Sequence, residues 1–127
     1  MKGLLDTHTF IWWDSDPPRL SNGALAFLRE PSNTLLLSVV SVWEMAIKVQ
    51  LGRLSLHLPL RTIIRQQQAN GLQVLPVTLD HVLALETLPA PHKDPFDRLL
   101  VAQAIAEGAV LLTSDKMFRN YPVNVVW

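Results

Sequence analysis

Thr34-Leu35-Leu36-Leu37-Ser38 is apolar at three consecutive positions, with no polar residue interleaved. A strand with one face in water alternates polar and apolar residues. A strand covered on both faces need not, and such runs belong to parallel sheets lying between helical layers. The same character recurs on either side. Lys2 to Asp6 reads as a first buried strand, Leu72 to Val77 as a third, Ala109 to Thr113 as a fourth and Val123 to Val126 as a last short one. Helical patterns fall between them: Thr7 to Asp14, Ser21 to Glu30, Ser41 to about Leu51, Leu60 to Asn70, Thr78 to Leu88 and Phe96 to Glu107. Asp115 to Asn120 adds a turn or two. The breakers are Asp14-Ser15-Asp16-Pro17-Pro18, Pro31-Ser32-Asn33 and the helix stops Gly52, Gly71 and Gly108. Strands alternating with helices predict an α/β fold: a three-layer α/β/α sandwich with a mostly parallel central sheet of four to five strands.

Composition narrows the class. The chain has 127 residues, which suits a single domain over 1–127. At 49% hydrophobic residues and a mean hydropathy of +0.21 it is apolar for its size. The surplus predicts an exposed apolar patch, for which a homodimer interface is the usual explanation. With no cysteine, disulfides, thiolate metal sites and cysteine nucleophiles are excluded. Eleven basic and eleven acidic residues cancel, so there is no global positive field to attract nucleic acid. Any such partner needs a local basic rim or a bound cation. Leu35 to Trp43 is too short to span a bilayer, and Met1-Lys2-Gly3 leads directly into a strand, so a cytoplasmic protein is expected.

Four carboxylates stand where strands end or helices begin. Asp6 closes Gly3-Leu4-Leu5, Glu44 comes one short turn after the Leu35–Val40 run, Asp97 opens Leu99-Leu100-Val101-Ala102, and Asp115 comes after Val110–Ser114. Parallel α/β sheets bind ligands at the carboxyl ends of their strands. Four carboxylates at one edge repel unless a cation joins them, and a hard divalent ion with oxygen ligands suits that role. Metal-assisted phosphodiester chemistry is the expected use. Each residue also has a plainer reading. Ser41-Val42-Trp43-Glu44 matches a capping box, Asp97 lies in a helix's first turn, and Asp6 and Asp115 could each cap the next helical segment. Coincidence of all four favours the site.

The neighbours are read in the same way. Thr7, Ser41, Thr113 and Ser114 flank the carboxylates and could orient them, or could cap helices. Among the bases Lys48, Arg53, Lys93, Arg98, Lys116 and Arg119, the choice for substrate contact falls on Arg98 and Lys116, each directly after a proposed ligand. Asp94 reads as a turn residue before Pro95, with an accessory acid as the alternative. His8 and His92 could reach substrate from the rim, but the histidines have no zinc spacing. Trp43 is expected in the core.

Taken jointly, Leu4-Leu5-Asp6-Thr7-His8, Ser41-Val42-Trp43-Glu44-Met45-Ala46-Ile47-Lys48, His92-Lys93-Asp94-Pro95-Phe96-Asp97-Arg98 with Leu99 to Ala104, and Leu112-Thr113-Ser114-Asp115 resemble the PIN-domain family, in its VapC-like toxin branch. The resemblance runs in order along nearly the whole chain. It implies a PIN-like fold and an endoribonuclease dependent on Mg2+ or Mn2+, the toxin of a toxin–antitoxin pair. Asp6, Glu44, Asp97 and Asp115 carry over as the catalytic, metal-holding quartet. Thr7, Ser114, Arg98 and Lys116 are the residues nearest to it for RNA contact. A homodimer and a cognate antitoxin lying in the active-site groove are implied as well. One alternative is a PIN-like module that binds RNA or protein without cutting. Another is a phosphoacceptor signalling domain, which expects an acceptor Asp after the third strand, where Pro76-Val77-Thr78 has none.

Overall fold

The computed structural model describes residues 1–89 and 94–127. Strands β1 (Lys2–Leu5), β2 (Thr34–Ser38), β3 (Gln73–Leu75), β4 (Val110–Leu112) and β5 (Val125–Val126) pair in the order β3-β2-β1-β4-β5, every pair parallel. Winding proceeds outward from β1 to β3, and β4 then returns to the other side of β1. The direction therefore reverses at the β1–β4 seam, where open sheets of this kind form a crevice. Leu5 pairs with Leu37 on one side and Leu112 on the other. Asp6, Ser38 and Thr113 come next at the same level, along one edge of the sheet.

Helices α1 (Thr7–Ser15), α2 (Asn22–Arg29), α3 (Val39–Gln50), α4 (Leu60–Ala69), α5 (Leu79–Leu83) and α6 (Pro95–Glu107) cover the two faces. The leucine runs supply both layers by alternation. Leu4, Leu36 and Leu111 pack with Leu100, Val101 and Ala104 of α6, whereas Leu5, Leu37 and Leu112 pack with Phe10, Ala24, Leu28, Met45 and Ile63 from α1 to α4. Among the described residues no helix is long and apolar enough to cross a membrane.

Some boundaries differ from the sequence reading. Helix α3 starts at Val39, because β2 passes into it with no intervening turn. Ser38, the last strand residue, is its N-cap and accepts from the Val40 N–H at 3.0 Å. Ser41 is therefore not the cap; it is buried within the first turn, and its hydroxyl has no hydrogen-bond partner among the described residues. Glu44 lies beyond the first turn and is free of the capping box expected for it. Helix α5 is one short turn continued by a 3-10 segment, Ala84–Thr87, so the helix expected from Thr78 to Leu88 is broken. The readings of His92 and Lys93 lie outside the described residues.

One polar network crosses the apolar layer over β2 and α6. Gln103, fully buried on α6, accepts from the Ser38 hydroxyl and donates to the Pro76 carbonyl at 3.3 Å and to His81 Nδ1 at 3.3 Å. Nδ1 of His81 also accepts from the Thr78 N–H at 3.1 Å, which leaves the ring proton on Nε2, 3.2 Å from Glu107 Oε2. Burial without partners would cost about 1–3 kcal/mol per group, so the network ties α6 to the ends of β2 and β3.

Gly3 sets how closely α2 approaches the sheet. A Cβ there would lie 2.3 Å from Phe27 Cε1 and 2.7 Å from Leu112 Cδ1. Gly3→Ala is expected to cost about 1–3 kcal/mol through overpacking, read as a lower midpoint in a thermal melt; an unchanged midpoint would show that Phe27 moves aside freely.

Candidate active site

Backbone termini bring the acids together. Asp6 leaves β1 as the N-cap of α1, its Oδ1 accepting from the Thr9 N–H at 2.8 Å, and its Oδ2 accepts from the Thr113 hydroxyl beyond β4. Asp94 caps α6, accepting from the N–H groups of Phe96 at 2.9 Å and Asp97 at 3.3 Å, with Pro95 at the first helical position, where a missing N–H does no harm. Asp97 lies in the first turn of α6. Asp115 caps the 3-10 segment Lys116–Asn120 through the Met117 N–H at 2.9 Å. Glu44 comes from α3, with Oε1 accepting from the Thr7 hydroxyl and Oε2 3.2 Å from Lys48 Nζ.

Asp6, Glu44, Asp94, Asp97 and Asp115 all line one cleft of about 180 Å³, together with Thr7, His8, Lys48, Ser114 and Phe118. It opens at the carboxyl edge of β1 and β4, where the winding reverses. Asp6 is buried, while Asp115 and Ser114 are exposed, so the cleft has a fixed floor and a wet mouth.

Two proposed substrate contacts stand apart from this lining. Arg98 donates from Nη1 to the Pro89 carbonyl at 2.8 Å, and Lys116 is an exposed residue of the 3-10 segment. Thr7 and Ser114 do line the cleft. Asp94, expected as a turn residue, both caps its helix and faces the cleft. Lys48 is not among the bases preferred on sequence, although its i,i+4 spacing from Glu44 on one helix carries the signal. Trp43 is not in the core. It is 59% exposed and meets the Phe96 ring edge-on at 5.0 Å, because α3 turns its Met45 side inward.

The donors are all oxygen, as a hard cation requires. Among the described residues no three Asp, Glu or His side chains are already drawn around one point at metal-ligand distance. The carboxylates line instead a shared cleft whose mouth, at Ser114 and Asp115, is open to water. That suits Mg2+, which keeps several waters and takes few direct carboxylates. The residues present therefore fit a hydrated divalent ion.

Comparison with known proteins bears on the chain as a whole. A family model of the PIN domain matches residues 3–124. Ribonuclease VapC22 of Mycobacterium tuberculosis is 32% identical over 119 residues, which cover 93% of this chain and 90% of that protein. Among solved structures, VapBC2 from Rickettsia felis, bound to a DNA fragment from its promoter, has a TM-score of 0.72 at 16% identity over 98% of this chain and 97% of that one. A toxin–antitoxin complex from Klebsiella pneumoniae has a TM-score of 0.64 at 20% identity, over 98% and 96%. These structural likenesses speak for the fold, and the family match for kinship along the sequence. A parallel sheet with carboxylates gathered at its switch point, matched from residue 3 to residue 124, makes this chain a member of the PIN-domain family.

Proposed function

We propose that the protein is a divalent-metal-dependent endoribonuclease and the toxin of a toxin–antitoxin pair, working in the cytoplasm. The observation that carries this reading is the meeting of Asp6, Glu44, Asp97 and Asp115 in one cleft at the sheet's switch point. Likeness to a VapC ribonuclease supports RNA as the substrate, and likeness to a toxin–antitoxin complex supports an antitoxin as the partner.

Bound in the cleft, Mg2+ or Mn2+ would supply Lewis acidity toward a phosphodiester and an acidified water. Asp6 and Asp97 would be its principal holders, with Glu44 and Asp115 as the further carboxylates of the set. Thr113 fixes the Asp6 carboxylate, and Thr7 fixes that of Glu44, as the outer partners of metal ligands do. Among the described residues Lys48 is the lysine in the lining, and it is the residue best placed to meet the scissile phosphate. Thr7 and Ser114 stand beside it as hydrogen-bonding groups.

Dimerisation is part of the reading. Leu79, Val82 and Leu83 of α5 and Ile105 of α6 leave apolar side chains in solvent on two touching helices. Such a patch suits an isologous contact with a second copy.

Asp6→Asn and Asp97→Asn test the chemistry with little change of shape. An Asn at 6 still offers an oxygen to the Thr9 N–H. Removing the outer partner of a metal ligand typically costs about 10–100-fold, so loss of a ligand should lower RNA cleavage by at least on the order of 100-fold. Cleavage is assayed on labelled RNA with Mg2+, Mn2+ or EDTA. Full activity in either variant, or activity undiminished by EDTA, removes the proposal.

Binding can be read without turnover. A site that is filled only in the folded state gains about 2.7 kcal/mol at a metal concentration a hundred times Kd. The melting midpoint should therefore rise with Mg2+ or Mn2+ in the parent protein and much less in Asp97→Asn. A module that only holds RNA would show no such rise. Light scattering at micromolar concentration is expected to give twice the chain mass, and a monomer would count against the dimer.

A further inference from the structure

A second cavity, of about 270 Å³, adjoins the carboxylate cleft and shares Glu44, Lys48 and Asp94 with it. Ile47, Leu51, Arg53 and Phe96 form the rest of its wall. The end of α3 explains this mixture. Gly52 takes a left-handed conformation at φ 72°, and the Arg53 N–H donates back to the Lys48 carbonyl at 2.8 Å. The chain therefore doubles over just past the helix, and Arg53 comes round to the wall that Lys48 already lines. Leu51, at the same corner, is 61% exposed. Trp43, on the face of α3 that carries Ile47 one turn later, extends the aromatic surface through its edge-on contact with Phe96.

Apolar and aromatic surface beside a cation is what a single-stranded nucleic acid needs: a face for a base and a charge for its phosphate. The wall carries two cations and two acids; Lys48 is paired with Glu44, and Arg53 and Asp94 are the other two charged groups. The cavity, about 270 Å³, is at the small end for ligand sites, which limits an occupant to one small unit of a chain. The cleft next door carries five carboxylates against Lys48, whereas the cavity sets two of them, Glu44 and Asp94, against Lys48 and Arg53, so the protein itself holds an RNA strand less poorly in the cavity than in the cleft. Anchorage beside the cut is the more useful for that reason.

We infer that this cavity is a nucleotide subsite, which receives one unpaired nucleotide adjacent to the scissile phosphate. Its base lies against Phe96, Leu51 and Ile47, and its phosphate meets Arg53 and Lys48. Cleavage is thereby directed to single-stranded segments, since a paired base cannot enter. The inference rests on the nuclease reading for the position of the cut, but not for the binding of the strand.

The test combines abasic RNA with the double variant Leu51→Ala/Arg53→Ala. Both side chains are exposed, and circular dichroism verifies that the fold is kept. Single-stranded oligonucleotides carry one abasic residue at successive positions around the cut. With the parent protein, loss of the base next to the cut should raise KM about tenfold, within the range for stacking of one base on protein. The double variant should raise KM for the intact strand by a similar factor and show no further penalty for the abasic one. An unchanged KM, or an equal abasic penalty in both proteins, overturns the subsite. If the parent protein cuts no RNA, the nuclease reading fails separately. Fluorescence anisotropy of the same labelled strands then decides: the same pattern in Kd upholds the subsite, and its absence overturns it.

Discussion

Like charges repel, and five carboxylates facing one cleft must be held there by something stronger than their mutual repulsion. The backbone does the holding. Asp6, Asp94 and Asp115 each accept N–H groups at the start of a helical segment, where the peptide dipoles give partial positive charge. Hydroxyls of Thr113 and Thr7 bind Asp6 and Glu44, and Lys48 neutralises part of Glu44. Hydrogen bonds to charged groups contribute about 1.5–3 kcal/mol each, more than the ordinary kind. The cluster is thus stable in the folded protein before any cation arrives. Capping and catalysis are not competing explanations of these acids, because a cap uses one lone pair of a group that has several.

Rigidity comes from two further sources. The register of β1 between β2 and β4 fixes the level at which Asp6 and Thr113 leave the sheet. Helix α6, which carries Asp97 and is capped by Asp94, is moored by Gln103 through Ser38, Pro76 and His81. A purely apolar contact would let the helix slide by fractions of a turn at small cost. A buried amide with three partners does not, since a shift leaves several polar groups unpaired at once.

The layers and the sheet are legible in the sequence because their signal is period and punctuation: Leu36 and Leu37 each need a covered face, and Gly52 and Gly108 mark helix ends with left-handed φ of 72° and 63°. The start of α3 is not, because Ser38 and Ser41 are equivalent as letters and only the abrupt strand-to-helix passage selects Ser38. Asp6, Asp97 and Asp115 are readable as strand and helix ends, whereas Glu44 lies in the middle of α3 and not at its start. Asp94, read as a turn residue with an accessory acid as the alternative, is both helix cap and cleft wall, because a single carboxylate fills both places. Arg98 comes directly after Asp97 in the chain, but one step along a helix turns a side chain by about 100°, and its guanidinium reaches Pro89 instead. Trp43 has the size of a core residue, whereas the helix face it shares is open.

Helix α3 carries Glu44 and Lys48, one turn apart on a single face, to the walls of both cavities. A helix behaves as a screw. Inserting or deleting one residue between Ser38 and Glu44 would rotate the rest of the helix by about 100° and shift it along its axis by about 1.5 Å. Glu44 would leave the carboxylates, Lys48 would leave the two cavities, and Gly52 would swing Arg53 elsewhere, even if the buried side of the helix found other apolar neighbours. The phase of this one element, more than its stability, therefore decides whether both cavities keep their walls.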